Sequence, residues 1–286
     1  DSLREQLGLR KPVGVQFLLY LWRVAHGDLG MSWQTTRPVM EDLLERFPAT
    51  LELVTLSLAL ALLVGVPLGV QASLRAKGPL RRVSDGFGLI AGAVPDFWLA
   101  LTLVFIFYSV LHWAPAPMGR LDVALSAPDP VTGSLLIDTL IAGDWRAFGS
   151  AAAHLALPVL TLAIVNAGPV LKMTQSTMDR VLASDFVRYA TMCGLPPKVI
   201  QRQAMRAALP SIITVVSILF TFAIGGAVLV EIVFSWGGAG QYAVQGVLNA
   251  DINPVLGFVL FSATLTLLLY LIVDLLYFAL DPRTRS

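Results

Sequence analysis

The stretch that decides the reading is Ser184-Asp185-Phe186-Val187-Arg188-Tyr189-Ala190-Thr191-Met192-Cys193-Gly194, followed by Leu195-Pro196-Pro197 and closed by Leu209-Pro210. It is a polar, basic, helix–turn–helix pattern set between two long apolar runs. Ser184 can N-cap a helix whose first turn carries Asp185, favourable to the helix dipole. Gly194 suits the left-handed residue that ends such a helix. Pro196 and Pro197 stand where a second helix begins. That helix, about Lys198 to Ala208, places Val199, Ile200, Gln203 and Ala207 on one face, with Arg202 and Arg206 at i,i+4 on another. Pro210 then opens the next apolar helix. Pattern alone leaves two readings open: a link lying flat on lipid headgroups, or a module that another protein grips.

Working outward, the 286 residues are 56% hydrophobic and only 14% charged, with a mean hydropathy of +0.73. Soluble domains carry about 25% charged residues, so the class is an integral membrane protein. The formal net charge of +1 names no partner and implies no nucleic acid. Cys193 is the single cysteine, which excludes an internal disulfide and any multi-thiolate metal site.

Five apolar runs are long enough to cross a bilayer, each with at least the ~20 residues of a membrane-spanning helix: Leu51–Leu74, Phe87–Trp113, Ala151–Met173, Leu209–Phe234 and Val255–Leu280. Pro67, Pro95, Pro158 and Pro169 predict kinks. Gly65, Gly69, Gly88, Gly92, Gly225 and Gly226 predict close helix contact. Arg75, Lys77, Arg81 and Arg82 follow the first run, and Lys172, Arg180, Arg188, Lys198, Arg202 and Arg206 fill the link after the third. Arg283 and Arg285 end the chain, whereas the alternate loops are poor in base. The positive-inside bias puts those links and the C-terminus in the cytoplasm and residues 1–48 outside. An outside start without signal-peptide anatomy predicts a sixth membrane helix upstream of Asp1.

Outside, residues 1–48 include an amphipathic stretch, Val15–Val24, and a turn at Gly27-Asp28-Leu29-Gly30. The loop 113–150 is rich in proline and aspartate and long for a stretch without regular structure; it reads equally as a cap or docking surface and as a solvated linker. His26, His112 and His154 are far apart, so no metal site and no catalytic group is assigned. No G-x-x-x-x-G-K-[ST] loop exists, so the chain cannot cradle nucleotide in that manner. Among the acids, Glu52 and Glu231 lie near predicted outer ends. Asp96 and Asp274 lie within runs, as structural partners or as translocation residues.

Arg188-Tyr189-Ala190, Gly194 and Leu209-Pro210 resemble the EAA loop of bacterial ABC importer permeases. The resemblance extends to Gly27-Asp28-Leu29-Gly30 with Ser32, and to Arg46-Phe47-Pro48-Ala49-Thr50-Leu51-Glu52-Leu53. It continues through Val94-Pro95-Asp96-Phe97-Trp98, Glu231 with Phe234, Gly237, Gly240 and Gln241, Asp274-Leu275-Leu276-Tyr277, and Asp281-Pro282-Arg283. The chain is thus similar to the peptide/nickel branch, and to the first of the two permeases in dipeptide or oligopeptide importers. Departures are Arg188 for the usual glutamate, Tyr189 for a small residue, Thr191-Met192-Cys193 for a more basic stretch, and Trp236 before Gly237.

The resemblance implies an all-α polytopic transmembrane domain of the type I importer, with an extracytoplasmic segment 1–48 and a permease domain 49–286 whose coupling loop is 174–208. Its partners would be a second homologous permease, two ATPase subunits, an external substrate-binding protein and membrane lipid of the bacterial inner membrane. ATP and Mg would sit on the ATPases and no cofactor on this chain. Ser184, Asp185, Phe186, Arg188, Tyr189, Ala190, Met192, Gly194, Pro196, Arg202, Arg206, Leu209 and Pro210 would form the coupling element. The cargo would be peptides, or in the same fold nickel, glutathione or opine-like solutes. The rival class is an ion-coupled carrier or intramembrane enzyme using Asp96 and Asp274.

Overall fold

The computed structural model describes residues 12–75 and 77–280, with side chains described up to residue 275. Arg283, Arg285 and the Asp281–Arg283 motif lie outside the described residues, as do residues 1–11; the side chains of Leu276 and Tyr277 do too. The described chain is helical almost throughout, in the order α1 (Val13–Ala25), α2 (Val39–Leu74), α3 (Pro79–Ala93), α4 (Asp96–Leu103) and a π-helical continuation (Val104–Val110). There follow α5 (Leu135–Ile141), α6 (Trp145–Leu182), α7 (Asp185–Met192), α8 (Pro197–Val233), α9 (Ala239–Leu248) and α10 (Ile252–Leu280).

Helices α2, α6, α8 and α10 are long and apolar enough to cross a membrane, and α3 with α4 and its π continuation makes a fifth if the bent pair counts as one span. The run Phe87–Trp113 is therefore not one helix but a pair of helical segments that meet at a bend of 103°. Proline is the reason. Pro95 has no N–H to continue α3, and it drives Val94 into extended backbone at φ −81°, ψ 125°. Asp96 then opens α4, where a carboxylate suits the helix dipole. Pro67, Pro158 and Pro169 stay inside their helices.

Boundaries also differ from expectation. α2 begins at Val39, so the division at residue 48 falls inside a helix that contains Pro48. At a rise of about 1.5 Å per residue it reaches ~54 Å, well beyond the ~30 Å hydrocarbon thickness. The loop 113–150 is not wholly irregular, because it holds α5 and the first turns of α6.

The bundle is built on α6. Lipid tails are as apolar as leucine, so association depends on tight packing and interhelical hydrogen bonds. Gly69 of α2 lies against α6 so closely that a Cβ there would stand 2.8 Å from the Leu171 carbonyl oxygen. Ser73 Oγ donates to the Gln175 carbonyl at 3.0 Å one turn further on. Gly65, Gly88 and Gly226 make similarly close contacts, whereas a Cβ on Gly92 or Gly225 would meet nothing within 4 Å. One core joins Leu53, Val54 and Leu58 of α2 to Leu155 and Leu162 of α6 and Ala227 and Val230 of α8. A smaller core at the α7 end gathers Met178, Ala204, Ala208 and Ile212. At the opposite end Leu29, Val39, Leu43, Phe47 and Tyr242 form a third. An apolar groove opens between α2, α8 and α10, lined by residues such as Leu62, Val66, Ile213, Phe220 and Leu269. Helix α1 contributes no buried residue.

Candidate functional site

The polar module stands at one end of the bundle as α7, joined to α6 by Ala183–Ser184 and to α8 by Cys193–Pro196. Ser184 occupies the N-cap position with extended backbone (φ −75°, ψ 155°), but its side chain does not cap α7. The hydroxyl donates back to the Val181 carbonyl and so closes the last turn of α6. That corrects the expected cap: serine satisfies whichever helix end it meets, and here α6 ends first. Asp185 remains in the first turn of α7.

The other end of α7 forms as the glycine predicts. Gly194 has φ +72°, its N–H donates to the Thr191 carbonyl at 3.0 Å, and the Leu195 N–H reaches the Ala190 carbonyl at 3.2 Å. These paired bonds define a Schellman stop. A Cβ on Gly194 would meet nothing within 4 Å, so its requirement lies in the backbone rather than in space. Pro196 and Pro197 take the N-cap and first position of α8.

Two expectations for the second helix are corrected. Pro210 does not open a new helix; α8 runs unbroken from Pro197 to Val233 with Pro210 inside it. Ile200 is half-buried and Ala204 and Ala208 are buried, whereas Val199, Gln203 and Ala207 are exposed. The cause is continuity. The inward stripe of the membrane helix, led by Ile212, extends backward at i−4 and i−8 onto Met178 of α6. A separate eleven-residue helix would have been free to choose its own phase; a continuous rod is not.

On α7 only Val187 is buried. Phe186 is 46% exposed, Tyr189 70%, Met192 73% and Leu195 45%. Asp185, Arg188, Arg202 and Arg206 are exposed around them, and Ala190 is half-buried. Leu209 and Pro210 are exposed where α8 enters the apolar zone. An apolar patch rimmed by arginine, on the most polar part of the chain, is the signature of an interaction surface.

The acids sort differently. Glu231 is wholly buried. Its carboxylate accepts from Thr50 Oγ1 at 2.6 Å and from the Gln241 N–H at 2.8 Å, and Gly238 lies against Oε1. The Gly237 N–H donates to Gln241 Oε1 at 2.7 Å, and Trp236 Nε1 donates to the Ala49 carbonyl at 3.1 Å. Glu52 pairs with Arg120 at 2.7 Å and accepts from Ser134 Oγ at 2.6 Å and the Leu136 N–H at 2.9 Å. Both acids therefore tie loops to helices.

Asp96 is half-buried at the start of α4, its carboxylate against the bare backbone of Gly226. Asp274 is exposed on α10. No hydrogen bond or ion pair joins these two among the described residues. The three histidines each bond a carbonyl of their own helical turn, at Trp22, Tyr108 and Ser150. Among the described residues no group of three or more metal-ligating side chains gathers.

Sequence reasoning overlooked one polar cluster. Arg81 forks onto Asp179 through Nη1 at 3.2 Å and Nη2 at 2.9 Å. Lys172 Nζ meets Asp85 at 2.7 Å, and Gln175 Nε2 donates to the same oxygen at 3.1 Å. The signal was present in the spacing: Arg81 and Asp85 share a face of α3 at i,i+4, and Lys172 and Asp179 share one of α6 at i,i+7.

Membrane-length helices, a bent helix pair and an exposed polar elbow describe a multi-pass membrane protein. The chain belongs to the family of binding-protein-dependent transport system inner membrane components, whose model matches residues 65–286. It is 40% identical over 284 residues to the probable D,D-dipeptide transport system permease protein DdpB of Escherichia coli K12, covering 99% of this chain and 83% of that one. It is 37% identical over 288 residues to the dipeptide transport system permease protein DppB of the same strain, covering 99% and 84%. The di/tripeptide transport system permease protein DppB of Pseudomonas aeruginosa is 36% identical over 281 residues, covering 98% and 83%. Among solved structures, an amino acid ABC transporter crystallised with histidines matches in fold, with a TM-score of 0.57, 14% identity, and coverage of 82% of this chain and 92% of that one. The chain is thus the non-catalytic membrane subunit of an ABC importer, which works with an ATPase and a binding protein.

Proposed function

We propose that this subunit forms the translocation path for di- or oligopeptides, together with a second homologous permease, and that one of two ATPase subunits seats on its α7 elbow while the other serves the second permease. An external binding protein delivers the peptide at the opposite end of the bundle. The basic link then lies in the cytoplasm, and α10 returns the C-terminus to the same side. ATP and Mg act on the ATPases alone.

One observation carries the reading. The exposed patch of Phe186, Tyr189 and Met192 is fixed, through a Schellman stop, to a helix that continues without a joint into the membrane. Ala204 and Ala208 lock the base of that rod onto α6. A displacement applied to α7 therefore reaches α6 and α8 as rigid-body movement, the form of motion that switches a two-state gate. Arg188, Arg202 and Arg206 supply the polar rim. The peptide cargo is supported by the dipeptide names of the relatives.

The test is reconstitution in liposomes with both permeases, the ATPases and the binding protein. ATP-driven uptake of a dipeptide is expected. Uptake of nickel, glutathione or an opine instead would keep the mechanism and change the cargo. Ion-gradient-driven uptake by this chain alone would overturn both.

A further inference from the structure

Inward of the break at Val94–Pro95, α3 is held by polar groups at two heights, and both holds go to α6. Nearest the α7 end, Arg81 grips Asp179 with two nitrogens, at 3.2 and 2.9 Å. Higher up, Lys172 holds Asp85 at 2.7 Å, with Gln175 on the same oxygen at 3.1 Å. Arg81 Nε also lies 3.6 Å from Asp85, which links the two pairs into one cluster. Above them the backbones meet: a Cβ on Gly168 would stand 3.0 Å from the Ala91 Cβ and 3.1 Å from the Gly92 nitrogen.

Among the described residues, the side-chain hydrogen bonds and ion pairs that α3 makes to other helices all go to α6. Two anchors along one helix fix its rotation as well as its position. At its far end α3 has no continuous helical connection, because the chain is extended at Val94 and turns by 103° into α4.

We propose that Arg81 and Asp179, with Asp85 and Lys172, are coupling residues that make α3 move as one body with α6, so that displacement of the α7 elbow reaches the broken span and flexes it at Val94–Pro95. The geometry argues for a joint rather than for simple surface charge. A bidentate arginine–carboxylate fork has a fixed planar geometry that resists sliding and rotation more strongly than a single lysine contact does, and the Lys172–Asp85 pair adds a second point of attachment. The pairs are partly solvated, so their value to stability alone is small; their value is directional. This inference rests on the proposed gripping of α7 by an ATPase.

The test uses the complete reconstituted transporter with Cys193 replaced by serine. Spin labels are placed at Arg82→Cys on α3 and Arg180→Cys on α6, both exposed positions. Their separation is measured with and without trapped nucleotide. It is expected to stay constant in the otherwise native chain, to change on nucleotide in Arg81→Glu, and to become constant again in Arg81→Glu/Asp179→Arg. The same variants are read for radiolabelled dialanine imported per ATP hydrolysed. In Arg81→Glu the ratio is expected to fall about tenfold, within the ~5–150-fold span of typical coupling between sites, and to recover in the double variant.

A separation that changes in the native background, or that stays constant in Arg81→Glu, overturns the proposal. So does a double variant that fails to recover. If Arg81→Glu does not assemble, Arg81→Gln is read by the same two measurements. Absence of dialanine uptake by the native transporter would count against the peptide reading, while the label separation still decides the joint.

Discussion

Thr50 Oγ1 and the Glu231 carboxylate meet at 2.6 Å across two membrane helices that are far apart in the chain. Thr50 in turn accepts the Ala239 N–H at 2.9 Å, so one hydroxyl joins α2 to both sides of the α8–α9 turn. Removing the carboxylate leaves the Thr50 O–H and the Gln241 N–H without their buried acceptor. Glu231→Ala is expected to destabilise the solubilised subunit by about 2–3 kcal/mol, in the range for orphaned buried polar groups. Thr50→Val should cost less, about 1–2 kcal/mol. Thermal unfolding in detergent measures both, and an unchanged midpoint in Glu231→Ala would remove its latch role.

Gly194 separates backbone need from space. At φ +72° with nothing near a would-be Cβ, Gly194→Asn should be nearly silent, because asparagine tolerates the left-handed region. Gly194→Val should carry a strain of about 1–2 kcal/mol and misdirect α7. Uptake per ATP in the assembled transporter is the measurement. Equal values for Asn and Val would show that the turn does not set the elbow.

Tyr189 and Met192 point away from the bundle, at 70% and 73% exposure. Alanine at either position should leave the subunit's unfolding midpoint unchanged, since no core is opened. Each should weaken capture of the ATPase subunit by about 2 kcal/mol or more, as truncation of an interface anchor does. Co-purification and titration of the ATPase check this. A normal affinity in the double alanine variant would place the contact elsewhere.

Asp138 gives a pH dependence. Burial pushes its carboxyl upward, but the N–H groups of Thr132 and Gly133 and the Thr132 hydroxyl outweigh that and hold it below the usual range. A lowered native value means the stabilisation is complete above the unfolded value of about 3.9, and is lost as pH falls through the native value. Resistance of the 120–134 stretch to pepsin should therefore fall only in strong acid. In Asp138→Asn it should be weak at every pH, with no such transition.

The fold was legible in composition: the five apolar runs locate the spans because nothing else in the chain could cross lipid. The elbow was legible because Gly194, Pro196 and Pro197 each have a local preference that tertiary structure had no reason to override, whereas the Ser184 hydroxyl went to the end of α6 instead of capping α7. The phase of α8 was not, since the stripe Ile200, Ala204, Ala208 is set by Ile212 and Met178 rather than by its own pattern. Pro95 was visible as a kink, but proline sequence alone does not distinguish a kink, as at Pro67, from a break of 103°. Arg81 and Lys172 were read for the topology their charge implies. Their partners Asp179 and Asp85 lie too far off in the chain for any local rule to pair them.

Coupling requires α7 to be covered in the working transporter, and the chain carries its own probe. Cys193 is exposed and shares the face of Phe186 and Tyr189 at helical spacing. Its rate of maleimide labelling should be high in the isolated subunit. In the complete transporter, assembled with its ATPases in liposomes, the rate should drop by about tenfold or more, the protection expected of a site inside a packed interface. Equal rates in the two states would mean that nothing grips the elbow, and would contradict coupling through α7.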